Sequence, residues 1–402
     1  MDIKTARQEV IDAGNMLVER GLTSRTWGNV SCRIDEKSFV ITPSGRPYAT
    51  LTADMLVEVD IETLNHKGEL KPSSEKGVHA AVYRARPEIN FVIHTHQTNA
   101  SAMSALGNAI KYIPSSMMPV LGSIIPYAEY GLPGTGKLSA MAGAALKNSD
   151  TRALIMSHHG ALCFGEDSLK TFESASMLEE VSALQLLTQF KKIYDLEAKD
   201  LAEMARLIDA EENSKTAISG ARVTSARQGD GFILETQEGE SLTVNLQNGQ
   251  SQGAQALADE ADLHRAVYLK RPDINNIIHS YEAEILSVSN FGKNLKPQLD
   301  DFAQIVGIDC PCVLTNPANK RDFHKSCLRA LKGRNAVLIK GKGALCCGAN
   351  EDDSKAIEEI TQKNSLAFLG TKLFNFYQPI KPLHARLMRF VYLKKYSKEA
   401  QK

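Results

Sequence analysis

The sequence lacks several features that mark specialised classes of protein. It has one tryptophan among 402 residues, and 47 basic side chains balance 47 acidic ones, so no bulk positive field attracts nucleic acid or an anionic membrane. Nowhere do about 18 apolar residues follow one another, which disfavours a membrane-spanning helix. The first residues are polar, with an acid at position 2, unlike a secretory signal. We therefore expect a globular cytoplasmic protein.

Cysteine is also sparse. Seven cysteines are spread along the chain, and such an odd, dilute set is more typical of reduced cytosolic thiols than of a disulfide framework. Cys310 and Cys312 form one close pair, Cys346 and Cys347 another, and neither pair belongs to a zinc-finger spacing. We expect these cysteines to be small buried apolar residues.

The chain does contain an internal repeat. Val78–Thr95 recurs as Leu263–Ser280 at an offset of 185, and ten of the eighteen residues are identical. The match continues near Gly160, which corresponds to Gly343 at an offset of 183. Self-similarity over such a distance predicts two homologous domains in tandem.

The region between the repeats gives the domain boundary. A chain of about 400 residues is long enough for two or three domains. After Glu166, apolar residues recur at helical spacing, and the sequence then becomes highly charged as far as about Asn213. We place the boundary near residue 212, with one domain over 1–212 and a second over 213–402.

Local patterns in the first repeat alternate between helix and strand, which favours a layered α/β domain. Ser73 or Ser74 can cap a helix that Pro87 ends. Polar residues with possible chemistry stand at the ends of the elements, where ligand sites usually lie. The predicted elements are helices over 2–21 and 75–85, strands over 38–42, 90–96 and 151–156, and a long helix that follows the 157–160 turn after Glu166.

Three histidines stand at predicted strand ends. His94 and His96 are two apart on one strand, so their side chains leave the same face and can converge on one ion. His159 precedes a glycine after another apolar strand, where a tight turn can aim it at the same point. Three neutral imidazoles leave a position on zinc open, which is typical of catalytic sites. His158 is the competing candidate, and we expect it to point away or to donate a hydrogen bond.

Glu75 is the candidate acid or base. It opens the helix immediately before the histidine strand. A carboxylate in a first helical turn is common because it interacts favourably with the helix dipole. Near a divalent ion, a carboxylate can also move a proton at a carbon next to a carbonyl. The spacing alone leaves both interpretations open.

Small residues at three turns form a candidate anion site. Two serines precede the helix that follows them, and the free N–H groups of a helix start favour an anion. Two further turn pairs can offer backbone N–H groups as an anion nest. Together they predict local phosphate binding by a chain of zero net charge. The candidate residues are Gly28, Asn29, Ser44, Gly45, Ser73 and Ser74.

In their order and approximate spacing, these motifs resemble the class II aldolase/adducin family, and the likeness covers residues 1 to about 200. The resemblance implies a three-layer α/β/α sandwich around a largely antiparallel sheet, usually assembled as a tetramer with active sites at subunit contacts. It further implies that His94, His96 and His159 bind one zinc ion, that Glu75 is the acid/base, and that the six turn residues hold a substrate phosphate. The motifs are Gly28-Asn29-Val30-Ser31, Pro43-Ser44-Gly45, Ser73-Ser74-Glu75, His94-Thr95-His96 and His159-Gly160.

The activity that the resemblance implies is cleavage of a ketose 1-phosphate to dihydroxyacetone phosphate and an aldehyde, with zinc holding an enediolate. Aldolases of the family have a tyrosine acid near the position of Ile113–Met118, where Tyr112 is the nearest tyrosine of this chain. The same scaffold resembles sugar-phosphate 4-epimerases, dehydratases and decarboxylases, so these reactions stay open. A scaffold like adducin is the non-enzyme alternative. The intact histidines and Glu75 favour an enzyme.

The second repeat has lost this set of ligands. One imidazole, a phenol and an ammonium make a poor zinc site, so we expect one zinc ion per chain, in the first domain only. We predict that the degenerate second domain replaces a neighbouring subunit, so that a homodimer mimics a four-domain ring. The predicted partner is a small sugar phosphate, with no nucleic acid and no membrane. The positions of His94, His96, His159 and Glu75 are taken by His279, Tyr281, Lys342 and Glu260.

Overall fold

Two β-sheets, one in each half of the chain, organise the fold. The computed structural model describes residues 2–23, 25–147, 149–194 and 222–396. The first sheet has seven strands and the second has eight. The predicted boundary near residue 212 lies outside the described residues.

The first domain contains strands and helices in alternation. Its strands are β1 (Asn29–Arg33), β2 (Ser38–Ile41), β3 (Val57–Asp60), β4 (Phe91–Thr95), β5 (Tyr127–Ala128), β6 (Ala153–Met156) and β7 (Gly160–Gly165). Its helices are α1 (Ile3–Glu19), α2 (Lys76–Ala85), α3 (Thr98–Ser104), α4 (Met118–Leu121), α5 (Gly136–Leu146) and α6 (Ser168–Tyr194). The strand order is β3-β2-β1-β4-β7-β6-β5, and only β5 and β6 pair in parallel.

Helices cover both faces of this sheet because the buried strands are apolar on both sides. In β6, Ala153 and Ile155 pack into the core under α1, α3 and α6. Leu154 and Met156 pack into the opposite core, under α2 and α5. This alternation follows from the two-residue period of a strand. The predicted three-layer α/β/α class is confirmed.

The second domain repeats the same design. Its strands are β8 (Val223–Gln228), β9 (Gly231–Thr236), β10 (Ser241–Asn245), β11 (Ser251–Gly253), β12 (Asn276–Ser280), β13 (Cys312–Val313), β14 (Ala336–Ile339) and β15 (Ala344–Gly348). Its helices are α7 (Ala258–Lys270), α8 (Ala283–Asn290), α9 (Asp300–Ile305), α10 (Lys320–Ala330), α11 (Glu351–Leu373) and α12 (Pro382–Val391). The strand order is β11-β10-β9-β8-β12-β15-β14-β13. Helices α7 and α10 share one core with this sheet, and α8, α9 and α11 share the other.

The main difference from the sequence-based prediction is β7. We expected the turn at 157–160 to lead into the long helix, but residues 160–165 return as a fully buried strand between β4 and β6. The segment is an apolar run of six residues, and such runs do not show their secondary structure by periodicity alone. Most other predicted bounds differ from the observed ones by one or two residues, as at α1, where Asp2 caps the first turn.

The two domains pack directly against each other. Helix α11 of the second domain contacts α3 and α6 of the first, and its Ala367 joins the first domain's core together with Leu299. Gly107, at φ +72°, lies so close to the ring of Phe376 that a Cβ atom there would collide with it. The absence of a side chain at this position therefore permits the close approach of the domains.

The cysteines are small core residues, as predicted. All seven are free thiols, and six of them are buried. Burial raises the pKa of Cys347 to about 12, which keeps this thiol protonated. Separately, none of the helices in the described ranges is both long and apolar enough to cross a bilayer.

Candidate metal centre

The first domain brings three histidines together at one edge of its sheet. His94 lies in β4, His96 follows the strand, and His159 lies in the turn between β6 and β7. One nitrogen atom from each ring lies within 4.8 Å of the other two. All three side chains are buried. The residues that the sequence predicts as metal ligands thus form one compact cluster.

The turn that carries His159 depends on an unusual backbone. His158 adopts φ +58° and Gly160 φ +155°. A Cβ atom on Gly160 would collide with the carbonyl oxygen of Thr95, at the end of β4. Glycine is therefore required for the turn to lie against β4 and place His159 beside His94.

The ring nitrogens in this cluster are suited to bind an ion. The Nδ1–H of His94 donates to the carbonyl oxygen of Ala161 at 2.9 Å, which leaves the lone pair of Nε2 facing the cluster. Nε2 of His94, Nδ1 of His96 and both nitrogens of His159 are buried without a well-aligned hydrogen-bond partner among the described residues. Such orphaned atoms are costly unless something satisfies them. Buried imidazole nitrogens are ligands that zinc prefers, so the donor set fits a divalent ion.

Glu75 faces the same cluster. It is the last residue before α2, and its N–H donates to Ser73 Oγ at 3.2 Å. Its Oε1 lies 2.8 Å from Nε2 of His159, and its Oε2 lies 3.4 Å from Nε2 of His94. Burial alone would raise the pKa of Glu75, but the adjacent His159 and His94 hold it below its ordinary value. The carboxyl group is therefore kept ionised inside a buried site.

A buried chain of hydrogen bonds holds this carboxylate in place. Asn29 Nδ2 donates to Glu75 Oε2 at 2.9 Å, and Asn29 Oδ1 accepts from Nε2 of His79 at 2.5 Å. Nδ1 of His79 in turn accepts from Ser31 Oγ at 2.6 Å. Burial lowers the pKa of His79 to about 3, so its ring stays neutral. The chain orients the Asn29 amide toward Glu75 rather than toward solvent.

The candidate phosphate residues form two groups. The turns at Ser44-Gly45 and Ser73-Ser74 lie side by side, because Pro43 forms a bridge with Pro72. Gly28 and Asn29 stand instead at the start of β1, near the histidines.

Several backbone N–H groups expected to bind an anion are already engaged. The N–H of Ser44 donates to the carbonyl oxygen of Lys71, and that of Ser73 donates to Thr42. The N–H of Gly28 donates to Thr23 Oγ1 at 2.9 Å. Ser74 is exposed, so its hydroxyl group is accessible to a ligand.

Three charged residues of the second domain reach the histidine cluster, and the motifs did not predict them. Oδ2 of Asp300 lies 3.2 Å from Nδ1 of His159, and Oδ2 of Asp301 lies 3.6 Å from Nδ1 of His96. Lys363 Nζ lies 2.6 Å from Asp301 Oδ2 and donates to the carbonyl oxygen of His96 at 3.1 Å. More than 130 residues separate the two halves of these contacts, and no local pattern in the sequence marks them.

His158 faces away from the cluster. Its Nδ1–H donates to the carbonyl oxygen of Gln298 at 2.8 Å, and its own carbonyl oxygen accepts from the Asp300 N–H at 2.9 Å. Tyr112 is 65% exposed, so it does not contribute a buried hydroxyl group to the site. Tyr130 is the tyrosine that the structure places nearby, and its hydroxyl group donates to Asp300 Oδ1 at 3.3 Å.

The equivalent place in the second domain has no such cluster. His279 and Tyr281 stack with ring centroids 4.6 Å apart. Glu260 Oε1 lies 2.6 Å from Nδ1 of His279 and 3.0 Å from Nε2 of His264. Within the ranges that the structure describes, the only group of three or more His, Cys, Asp or Glu side chains arranged to hold an ion is that of His94, His96 and His159.

Comparison with known proteins agrees with this architecture. Residues 8–186 and 211–363 both match the sequence model of the class II aldolase and adducin N-terminal domain, so the chain belongs to this family. Each half of the chain contains one matched region, which is consistent with the predicted tandem layout.

Among its relatives are enzymes with two different activities. Over 185 residues the chain is 36% identical to the L-fuculose phosphate aldolase of Escherichia coli, covering 46% of this chain and 84% of that protein. It is 32% identical over 189 residues to the L-ribulose-5-phosphate 4-epimerase of Salmonella paratyphi B, covering 44% of this chain and 82% of that protein. A solved L-fuculose 1-phosphate aldolase aligns with a TM-score of 0.43 at 30% identity, over 51% of this chain and 96% of that one.

Proposed function

We propose that this protein is a zinc-dependent lyase that cleaves a ketose 1-phosphate to dihydroxyacetone phosphate and an aldehyde. The observation that carries the proposal is the buried cluster of three imidazoles, which Glu75 faces and in which four of the six ring nitrogens lack hydrogen-bond partners among the described residues. The likeness to a protein named L-fuculose phosphate aldolase supports the substrate class.

His94, His96 and His159 would hold the ion, one per chain. Imidazole nitrogens suit zinc, and other divalent transition metals also accept them. When bound, the ion would polarise a substrate carbonyl group and stabilise the negative charge that develops on its oxygen.

Glu75 would move the proton. In the retro-aldol reaction, the bond between the carbon next to the carbonyl group and the carbinol carbon breaks. The hydroxyl proton leaves as the aldehyde forms, and the other carbon takes a proton. Glu75 is ionised and buried beside the histidines, so it can accept a proton from one substrate atom and deliver it to another. Asn29 fixes the direction in which the carboxylate points.

The turn residues would hold the phosphate group. Ser73 is two residues from Glu75, and its turn lies beside that of Ser44 and Gly45, so a phosphate bound there would be close to the acid/base. Ser74 offers an exposed hydroxyl group. Gly28 and Asn29 lie at the start of β1, beside His94 of β4.

We also propose that two chains associate. The start of α9 in the second domain contacts the first domain's histidines. The corresponding segment of the first domain leaves Tyr112, Met118 and Ile124 exposed by 65%, 44% and 46%. An exposed apolar segment, equivalent to one that forms an interface elsewhere in the same chain, favours contact with a second copy. Light scattering should therefore give a dimer, and a fully active monomer would contradict this part of the proposal.

A 4-epimerase acting on a ketose 5-phosphate is the second candidate. The chain's identity to an L-ribulose-5-phosphate 4-epimerase is nearly as high as that to the aldolase. Within one chain Tyr112 is 65% exposed, so the tyrosine acid of an aldolase would have to reach the histidines from a second copy.

The test is to incubate the zinc-loaded full chain with a panel of ketose 1-phosphates and 5-phosphates. Release of dihydroxyacetone phosphate is followed with a coupled NADH assay, and inversion at C4 is followed by NMR. The His96→Ala protein, prepared in parallel, controls for contaminating aldolase. Triose release by wild-type protein alone supports the lyase, and inversion without release supports the epimerase. If zinc is bound and neither reaction occurs, both proposals fail, and a dehydratase or decarboxylase that uses the same site is favoured.

A further inference from the structure

We infer that Asp300, which belongs to the degenerate second domain, is a positioning residue that orients His159 for metal binding in the first domain. The inference rests on the proposed function, because it assumes that His159 binds the ion. It assigns the second domain a direct part in the site of the first.

The geometry of the Asp300–His159 pair is that of a carboxylate behind a metal-binding imidazole. Oδ2 of Asp300 lies 3.2 Å from Nδ1 of His159. Neither atom forms a well-aligned hydrogen bond with any described residue, and both side chains are buried. An imidazole whose Nδ1–H faces a carboxylate presents the lone pair of Nε2 on its other side. Nε2 is the nitrogen of His159 that faces Glu75.

The other two histidines do not depend on the second domain in this way. Nδ1 of His94 is fixed by the carbonyl oxygen of Ala161, within the first domain. Nδ1 of His96 lies 3.6 Å from Asp301, which is too far for a hydrogen bond. His159 is therefore the histidine whose orientation requires a residue from the second domain.

Charge also distinguishes Asp300 from its neighbour. Lys363 Nζ lies 2.6 Å from Oδ2 of Asp301, so the charge of Asp301 is already balanced. In the described part of the chain, no lysine or arginine forms an ion pair with Asp300, which receives only the Tyr130 hydroxyl group on its other oxygen. A buried carboxylate without a cation is stabilised by a nearby imidazole that carries a metal ion's charge.

The backbone around Asp300 is fastened from both domains. Its N–H donates to the carbonyl oxygen of His158, and the ring of His158 donates to Gln298. Oδ1 of Asn364 accepts from the N–H groups of Gln298 and Leu299 at 2.7 and 3.1 Å. One of these partners is His158, the residue next to His159. The position of the Asp300 carboxylate relative to the His159 ring is therefore fixed.

The experiment measures Zn²⁺ affinity of the metal-free full chain by competition with a chromophoric chelator. Asp300→Asn should weaken zinc binding by about 10- to 100-fold, the usual effect of losing such a carboxylate. Asp309→Asn is the matched control, since Asp309 is a buried acid of the same domain that pairs with Arg334 at 2.6 Å and makes no ion pair with the histidines. It should leave zinc affinity unchanged. The visible spectrum of the Co²⁺-loaded protein should change in Asp300→Asn and not in the control, whereas a loss of stability alone would not alter it.

Wild-type zinc affinity in a folded Asp300→Asn protein would overturn the inference. If circular dichroism shows that this variant does not fold, Tyr130→Phe decides, because it removes only the hydroxyl group that orients Asp300. A smaller loss of zinc affinity in the same direction then supports the inference, and no loss overturns it. His159→Ala separates the two proposals. If it binds zinc as wild type does, the proposed function itself fails, and if it loses zinc while Asp300→Asn does not, only the positioning role fails.

Discussion

Glu75 and Glu260 occupy equivalent places in two copies of one fold, but their surroundings differ. Glu75 is held by an amide and faces imidazole nitrogens that have no hydrogen bond of their own. Glu260 bonds directly to two histidines of its own domain, His264 and His279. The first arrangement leaves the carboxylate and the histidines able to serve a ligand. In the second, the same kinds of group satisfy one another.

One residue accounts for much of this difference. Asn29 pairs with His94 across β1 and β4, and Val223 pairs with His279 at the same place in the second sheet. In the first domain the Asn29 amide lies between His79 and Glu75. With valine there, no amide separates the histidine from the acid, and Glu260 bonds His264 itself. The second domain has therefore lost metal ligands, and its remaining polar groups also form hydrogen bonds with one another.

His279 shows the chemical result. Its Nδ1 faces Glu260 and its Nε2 lies 2.6 Å from the carbonyl oxygen of Lys342. Both nitrogens therefore donate, which requires the doubly protonated ring. Burial alone would lower the pKa of His279, but Glu260 raises it above its ordinary value. A ring that donates on both sides has no lone pair for a metal ion, in contrast to that of His94.

The largest expected effect is on metal content. His96→Ala should reduce bound zinc from about one ion per chain to nearly none, because two imidazoles are too few for a stable site. His279→Ala should keep about one ion per chain, since the second domain offers no metal site. Elemental analysis after dialysis measures both. Zinc loss in His279→Ala, or full zinc retention in His96→Ala, would contradict the proposal that only the first domain binds the ion.

The second effect is on turnover. Glu75→Gln should keep zinc but lower kcat by about 10²- to 10⁴-fold, the usual contribution of an acid/base. Glu260→Gln should leave kcat unchanged and lower the free energy of unfolding by about 1–3 kcal/mol, because it replaces the charged acceptor shared by two buried imidazoles with a neutral amide. Steady-state kinetics and urea unfolding distinguish these outcomes. A Glu75→Gln enzyme with wild-type turnover would remove Glu75 from the mechanism.

The smallest expected effect is on the pH dependence of the free energy of unfolding. The pKa of His279 is raised in the folded state and that of Glu260 is lowered. The histidine's contribution to stability is therefore complete below its unfolded pKa, about 6.5, and is lost as pH rises through its folded value. The carboxylate's contribution is complete above about 4.3 and is lost as pH falls.

The measurement is urea unfolding in EDTA at about pH 6 and pH 9, on wild type and on Glu260→Gln. The stability advantage of wild type over the variant should be smaller at the higher pH. EDTA removes the metal's contribution, and taking the difference between the two proteins cancels the titration of groups in the first domain. If the stability advantage of wild type over Glu260→Gln grew with pH, His279 and Glu260 would not form the charged pair described above.

The residues that sequence reasoning placed correctly are those governed by local periodicity. Two histidines two apart on a strand must share a face, and an acid before a helix must stand at its start, so the meeting of His94, His96 and Glu75 follows from short-range geometry. The approach of His159 depends on β7, which pairs with β4 and which the sequence analysis did not predict. The internal repeat predicted two domains of the same fold in tandem, because similar sequences adopt similar structures.

What the sequence did not show depends on packing over long distances. Asp300 and Lys363 approach the histidines only because α9 and α11 dock on the first domain, and no local pattern encodes that docking. The strand β7 was missed because an apolar run of six residues fits a strand or a buried helix equally well. The N–H groups of Ser44 and Ser73 were expected to be open, but neighbouring loops take them, which only the tertiary structure determines.

Gly107 has no side chain, and the ring of Phe376 packs directly against it. This contact limits how far the sequence of the second domain can change. A methyl group on Gly107 would collide with the tip of the Phe376 ring, so this ring would have to move to admit it. The second domain has lost its metal ligands, but its shape is still constrained, because the first domain packs against it.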